Sequence, residues 1–233
     1  MTNTSPLNRL LAGHGPLLLD FDGPVCAIFA GYPAASVADE LRSLLRDQGV
    51  MVPDELLGTP DPLDVLRWVG TLRQPDLMRT VEDALCAAEL HAVRSSAPTP
   101  YAREVIVAAR KAGKPIAVVS NNSAAAVIEY LTAKRLAPYV TSVIGRAYAD
   151  PARMKPNPEP ILHAVFDLGA EPGDCVLIGD SLGDIAGAQA AGVPVIGYAN
   201  REGKVQPFRD AKADAVVSSL GDIAVALICD EPD

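Results

Sequence analysis

The sequence predicts an α/β protein, a doubly wound parallel sheet with an all-helical segment inserted after its first strand. Three observations carry that expectation. Short apolar runs bounded by turn residues recur along the chain, as in strands buried on both faces of a parallel sheet. From residue 99 onward these runs alternate with longer stretches of helical spacing, the order of a right-handed β–α–β winding. Between residues 26 and about 95 the alternation stops and only helical periodicity is left.

The elements follow in order. Leu17-Leu18-Leu19 runs into Asp20-Phe21 and is the first strand. The insert then shows three helical stretches. Val37, Leu41, Leu44 and Leu45 fall at i, i+4, i+7 and i+8. Asp61-Pro62 opens a second stretch carrying Leu63, Leu66 and Val69, and Pro75-Asp76 a third with Leu77, Val81, Leu85 and Ala88. Each has one apolar stripe, as packed helices need. Ser95-Ser96-Ala97-Pro98 reads as the return hinge. Thr99-Pro100 is an N-cap and N1 pair for a helix over 101–112, stopped by Gly113. Strand 116–119 follows, then a helix from Ser123 to Lys134 and strand 140–144. Asn157-Pro158 opens a helix that ends at Leu168-Gly169. Strand 175–178, a helix from Asp184 to Gly192, strand 193–196, strand 215–217 and a helix near 223–228 complete the sheet. The expected organisation is a Rossmann-like α/β core over 1–25 and 96–233 with a helical cap over 26–95.

Charge and composition narrow the function classes. The 233 residues carry 20 Lys and Arg against 29 Asp and Glu, a net charge of −9. That balance argues against a nucleic-acid polymer or an anionic membrane as partner, since both attract basic patches. No apolar run approaches the roughly 20 residues that span a bilayer. Leu17 to Leu19 meets an aspartate with no cleavage site behind it, so no signal peptide is expected. Cys26, Cys86, Cys175 and Cys229 form no CxxC unit and are expected as buried thiols in a reducing cytoplasm. His14, His91 and His163 are scattered, which argues against zinc. Nothing marks an oligomer surface.

The strand ends hold the chemistry. Asp20 and Asp22 close the first strand, Ser120 closes strand 116–119, and Asp180 closes strand 175–178 with Asp184 one helical turn on. In an open parallel sheet, ligands bind at the carboxyl ends of the strands. An isolated Asp-x-Asp is more often a strand-end turn, and an isolated Lys155 a surface lysine; it is their joint placement that points to a site. Such carboxylates repel: two charges about 4 Å apart cost about 4 kcal/mol at an effective dielectric of 20. An oxygen-only donor set suits Mg²⁺, and Lys155 would add a second positive charge.

Four motifs now stand in order. They are Asp20-Phe21-Asp22-Gly23-Pro24-Val25, Val118-Val119-Ser120-Asn121-Asn122, Met154-Lys155-Pro156-Asn157-Pro158, and Ile178-Gly179-Asp180-Ser181-Leu182-Gly183-Asp184-Ile185. Together they resemble the haloacid dehalogenase superfamily, in the branch with a helical C1-type cap that includes phosphoglycolate phosphatases and β-phosphoglucomutases. Pro24 departs from the Thr usual after the first motif's glycine. The resemblance implies that Asp20 is the nucleophile and Asp22 the general acid and base. It implies that Ser120, the Asn121 backbone N–H, Lys155 and Gly23 bind the phosphoryl group. It also implies a Mg²⁺ ion on Asp20, the Asp22 carbonyl and Asp180, with Asp184 a direct or water-mediated ligand or a partner of Lys155.

The implied function is a Mg²⁺-dependent phosphomonoester hydrolase acting on a small soluble phosphorylated metabolite through an aspartyl-phosphate. Alternatives are a sugar phosphomutase on the same core and a non-catalytic phosphate-binding or regulatory protein. Asp22 argues against a carbon-attacking dehalogenase, and the absence of lysine from 26–98 argues against Schiff-base chemistry. The turn Gly58-Thr59-Pro60-Asp61-Pro62 lacks the arginine that the mutases carry there. Six cap arginines, Arg42, Arg46, Arg67, Arg73, Arg79 and Arg94, read mostly as solvated helix faces, one or two of them available to an anionic substrate. Trp68 reads as cap core, and the family's cap implies that Phe29, Tyr32 and the 58–60 turn face the site.

Overall fold

The structure, a computed structural model, describes residues 5–12 and 15–228. His14 and Cys229 lie outside these residues. The chain opens on a short helix α1 (Pro6–Leu11), capped by Ser5, and runs into β1 (Leu17–Leu19). A two-residue strand β2 (Cys26–Ala27) leads to the insert: α2 (Ala34–Asp47), α3 (Asp54–Leu57), α4 (Pro62–Thr71) and α5 (Pro75–Val93). The return strand β3 (Ala97–Pro98) pairs antiparallel with β2. Then come α6 (Ala102–Lys111), β4 (Ile116–Val119), α7 (Ala124–Ala133), β5 (Ser142–Ile144), α8 (Glu159–Asp167) and β6 (Val176–Gly179). The last elements are α9 (Leu182–Ala191), β7 (Val195–Tyr198), α10 (Val205–Asp210), β8 (Ala215–Val217) and α11 (Leu220–Ile228).

Six strands make one parallel sheet in the order β5-β4-β1-β6-β7-β8. The winding reverses direction beside β1, whose Leu17, Leu18 and Leu19 pair with β4 on one side and β6 on the other. The period of two along the strands divides the core. Leu17, Leu19, Ile116, Val118, Val176 and Ile178 point to the layer of α6, α7 and α11, while Leu18, Ala117, Val119 and Leu177 point to the layer of α8 and α9. Leu18 is wholly buried, which stabilises the fold by about 1.5–3 kcal/mol relative to an exposed leucine. The insert has its own core around Val37, Leu41, Leu45, Leu66, Val69, Val81 and Leu85. Met154, from the segment between β5 and α8, packs into it. No helix among the described residues is long and apolar enough to cross a membrane.

Several expectations are corrected. The stretch expected to hold no strand begins with β2, which pairs with β3 at the return hinge and clamps the insert's two ends together. The insert has four helices, because Asp54–Leu57 forms an extra short one. Helices α1 and α10 were not expected, and each is only six residues long, too short to show a stripe. Thr99 does not cap α6. Tyr101 precedes that helix at φ 65°, and Thr99 instead ties back to the first loop, its N–H donating to the Val25 carbonyl and its hydroxyl to the Gly23 carbonyl. Helix α9 begins at Leu182 rather than Asp184, with Ser181 as its cap.

Candidate active site

The carboxyl ends of β1, β4 and β6 bring the expected residues onto one floor. Asp20 follows β1, and its N–H donates to the Ile178 carbonyl of β6, which anchors it at the centre of the sheet. Lys155 arrives from the segment before α8. Its side chain is only 3 % exposed, and Nζ donates to Asp20 Oδ1 at 2.8 Å, contacts Asp184 Oδ1 at 2.7 Å and donates to the Val119 carbonyl at 2.7 Å. Burial works against the ammonium charge, but the Asp184 and Asp20 carboxylates outweigh it and hold the Lys155 pKa above its ordinary value. Asp20 is pushed well up, first by burial and then by the charge of Asp184, with Lys155 pulling the other way.

Asp184 is more than a neighbour of Lys155. Ser181 caps α9 by accepting from the Asp184 N–H, and Asp184 Oδ2 accepts from Ser181 N at 3.0 Å and Ser181 Oγ at 2.6 Å. Asp184 is thus the third-position partner in a capping box, and its Oδ1 contacts Lys155. Asp180 Oδ2 accepts from Asn200 Nδ2 at 2.8 Å and Lys204 Nζ at 2.6 Å. Asp20, Asp180 and Asp184 each present one carboxylate oxygen, and these oxygens lie within 4.8 Å of one another. Hard oxygen donors at this spacing fit Mg²⁺.

Asp22 stands apart from that triad. Its Oδ1 accepts the Ile28 N–H at 3.0 Å. Burial lifts its carboxyl to about 6, the Ile28 hydrogen bond opposing and the charges of Asp180, Asp61 and Glu89 adding to the rise. Gly23, expected among the phosphate-binding residues, lies in the turn after β1. Its N–H is spent on the Cys26 carbonyl at 2.7 Å, and its φ of 112° brings it against Asp180, where a Cβ would fall 2.4 Å from Cγ. Pro24 leaves this turn intact: Val25 N and Cys26 N both reach the Phe21 carbonyl.

Ser120 and Asn121 lie on the loop before α7, which Ser123 caps. Ser120 Oγ accepts from Asn122 N at 3.0 Å. The Asn121 side chain pairs with the Lys155 backbone in both directions, Oδ1 accepting from Lys155 N at 2.9 Å and Nδ2 donating to Lys155 O at 3.1 Å. These two hydrogen bonds tie the loop to the lysine's backbone.

Above this floor is a cavity of about 400 Å³ whose cap side is formed by Phe29, Ala34, Pro60, Asp61, Leu63 and Arg67. Phe29 and Pro60 face it as expected. Tyr32 instead packs edge-on against His91 and donates to Glu40. Of the six arginines, Arg67 reaches the cavity. Arg42 is the exception to the solvated reading: it is buried, and Nη1 donates to the carbonyls of Leu56 at 3.0 Å and Thr59 at 2.8 Å, fixing the turn that carries Pro60 and Asp61. Trp68 packs on the insert core. Asn200, Lys204 and Asp61 escaped the sequence reading. Asn200 lies just past the end of β7, so the same strand-end rule applied there finds it; Asp61 was seen only as a helix start.

The family described as haloacid dehalogenase-like hydrolase matches residues 18–192. A phosphoglycolate phosphatase of Cupriavidus necator is 37 % identical over 119 residues, 49 % of this chain and 49 % of that protein. The phosphoglycolate phosphatase of Escherichia coli K12 is 30 % identical over 128 residues, 55 % of this chain and 50 % of its own length. The matches thus span about half the length of these curated relatives. A haloacid dehalogenase-like hydrolase of Streptococcus pneumoniae shares the fold, with a TM-score of 0.64 at 13 % identity, covering 91 % of this chain and 97 % of the other.

Proposed function

Because the chain belongs to the haloacid dehalogenase-like hydrolase family, we propose that it hydrolyses the phosphomonoester of a small metabolite, with Asp20 as nucleophile and Mg²⁺ as cofactor. The observation that carries this reading is the setting of Asp20. It ends the central strand with one oxygen on a buried lysine, beside two further carboxylates, on a cavity shared with Asp22 and the Ser120 loop.

In the first step an Asp20 carboxylate oxygen attacks phosphorus, the phosphorus–ester oxygen bond breaks, and Asp22 gives its proton to the departing alkoxide. In the second step Asp22, now a carboxylate, takes a proton from water as the water oxygen attacks the aspartyl-phosphate. Inorganic phosphate leaves, and Asp20 and protonated Asp22 are restored. A carboxyl lifted to about 6 serves both directions near neutral pH. Lys155 balances charge on Asp20 and on the transferring group, and Ser120 with the Asn121 backbone N–H grips the phosphoryl oxygens beside the N-terminus of α7. Mg²⁺ on Asp20, Asp180 and Asp184, with the Asp22 carbonyl, would supply further positive charge to the phosphoryl oxygens.

Residues 26–95 form the cap in this reading, and 1–25 with 96–233 the core. The roof over the cavity limits the substrate to a small molecule. The relatives named phosphoglycolate phosphatase support a small phosphorylated acid, and Arg67 offers that acid a cation. The test is phosphate release from a broad panel of phosphorylated metabolites, with and without Mg²⁺, for the wild type and Asp20→Asn. Turnover is expected on one or two compounds, lost without metal and lost in the variant. A folded wild type that releases phosphate from none of them overturns the reading.

A further inference from the structure

A second cluster of charge lies beneath the phosphate loop, and the mechanism above does not use it. Arg146, just after β5, is wholly buried between Glu82 and Glu89 of α5. Its Nε and Nη2 donate to Glu82 Oε1 at 2.9 and 2.7 Å, and Nη1 donates to Glu89 Oε1 at 2.7 Å. Glu82 and Glu89 are seven residues apart, two turns along one face of the helix. Two buried carboxylates against one guanidinium leave a net negative charge, and Glu82 Oε2 has no hydrogen-bond partner.

Stability alone does not account for this cluster. Burying charges costs several kcal/mol per ion, and well-packed apolar residues in their place often do as well or better. What the cluster does hold is the loop. Glu89 Oε2 accepts the Ser123 N–H at 2.8 Å, and Glu89 Oε1 accepts Asn122 Nδ2 at 3.2 Å. Arg146 Nη1 donates to the Asn121 carbonyl at 2.7 Å, and the Arg146 N–H donates to the Asn122 carbonyl at 2.9 Å. The Asn122 amide, turned by Glu89, places Oδ1 3.2 Å from the Ser120 hydroxyl. Asn121 in turn clasps the Lys155 backbone. An unbroken path of hydrogen bonds thus runs from α5 of the insert through Arg146 to Ser120, Asn121 and Lys155, the groups assigned to the phosphoryl oxygens.

We propose that Glu89 and Arg146 are positioning residues that hold the phosphate-gripping loop in its binding geometry and register it against α5. The inference rests on the phosphatase reading. Phosphate affinity is set by how well several donors converge, so loosening the loop weakens binding of the oxyanion while leaving the carboxylate triad in place. Glu82 pairs with the same guanidinium, and its hydrogen bonds go to Arg146 and Cys86 rather than to the loop, which makes it the internal control.

The experiment measures competitive inhibition by inorganic phosphate, calorimetric Mg²⁺ affinity and Tm for the wild type, Glu89→Gln, Arg146→Met and Glu82→Gln. Glu89→Gln and Arg146→Met are expected to raise the phosphate inhibition constant and KM by about tenfold, with Mg²⁺ affinity changed by at most about twofold. Glu82→Gln is expected to lower Tm and leave phosphate inhibition within the same twofold. A purely structural role would instead make phosphate affinity follow Tm across all three. Unchanged phosphate inhibition in Glu89→Gln, or equal weakening in Glu82→Gln, overturns the proposal. If Arg146→Met does not fold, the two glutamine variants decide it. A wild type that neither hydrolyses p-nitrophenyl phosphate nor binds inorganic phosphate overturns the phosphatase reading and this inference with it. Active wild type with unaffected variants overturns the inference alone.

Discussion

Replacing Lys155 with Met in the metal-free protein removes the ammonium that Asp20 and Asp184 share. The ammonium lies 2.8 Å from Asp20 and 2.7 Å from Asp184, with both lysine and Asp184 almost fully buried. Removing one partner of a buried ion pair costs about 3–5 kcal/mol, because the remaining charge stays desolvated. On a chain of this size each kcal/mol lowers Tm by roughly 2–4 °C. The expected loss is therefore roughly 6–20 °C. Asp20→Asn changes the same contact with the opposite electrostatic sense. The asparagine oxygen can still accept from Nζ, Lys155 keeps Asp184, and the repulsion of Asp20 by Asp184 and Asp180 disappears. That variant is expected within about 1 kcal/mol of the wild type, or above it. Thermal and urea unfolding in EDTA at neutral pH read both changes. Saturating Mg²⁺ then restores part of the stability that Lys155→Met lost, since a ligand that binds only the native state stabilises it by mass action. Lys155→Met as stable as the wild type, or Asp20→Asn as damaged as Lys155→Met, refutes the reasoning.

Two further substitutions probe the frame around the site. Gly23→Ala places a Cβ 2.4 Å from Asp180 Cγ at a φ that disfavours side chains; Mg²⁺ affinity by calorimetry is expected to fall about tenfold, and an unchanged affinity would show that Gly23 does not fix Asp180. Arg42→Met strips the Leu56 and Thr59 carbonyls of their buried donor; a loss of about 1.5–3 kcal/mol in urea unfolding should come with a higher KM, because Pro60 and Asp61 follow that turn, and full stability would refute it.

The strand-end rule made Asp20, Ser120 and Asp180 legible, because a continuous apolar run that stops on a polar residue marks both the strand and its carboxyl end. Lys155 follows no strand, and only the joint pattern of four motifs singles it out. Glu82, Glu89 and Arg146 were missed for a different reason: they meet across 64 and 57 residues of chain, and no local period links them. A trace was nonetheless present. Glu82, Leu85, Glu89 and Ala92 share one buried face of α5, and an acid inside an apolar stripe asks for a buried cation. Thr99 was misread because a Thr-Pro pair before a helix resembles a cap, whereas its hydroxyl is used 76 residues away on the Gly23 carbonyl.

Several positions where local rules fail lie at the cavity or directly beneath it. Gly23 takes a left-handed φ, Lys155 and Asp20 are buried ions, and Glu82 and Glu89 interrupt an apolar face. Burying ions costs several kcal/mol each, and natural proteins break such rules mainly where function requires it. The three apolar cores around the site offset what these groups cost. A selection for thermal stability in metal-free conditions should therefore enrich neutral residues at Asp20, and the most stable survivors there should be the ones that no longer release phosphate.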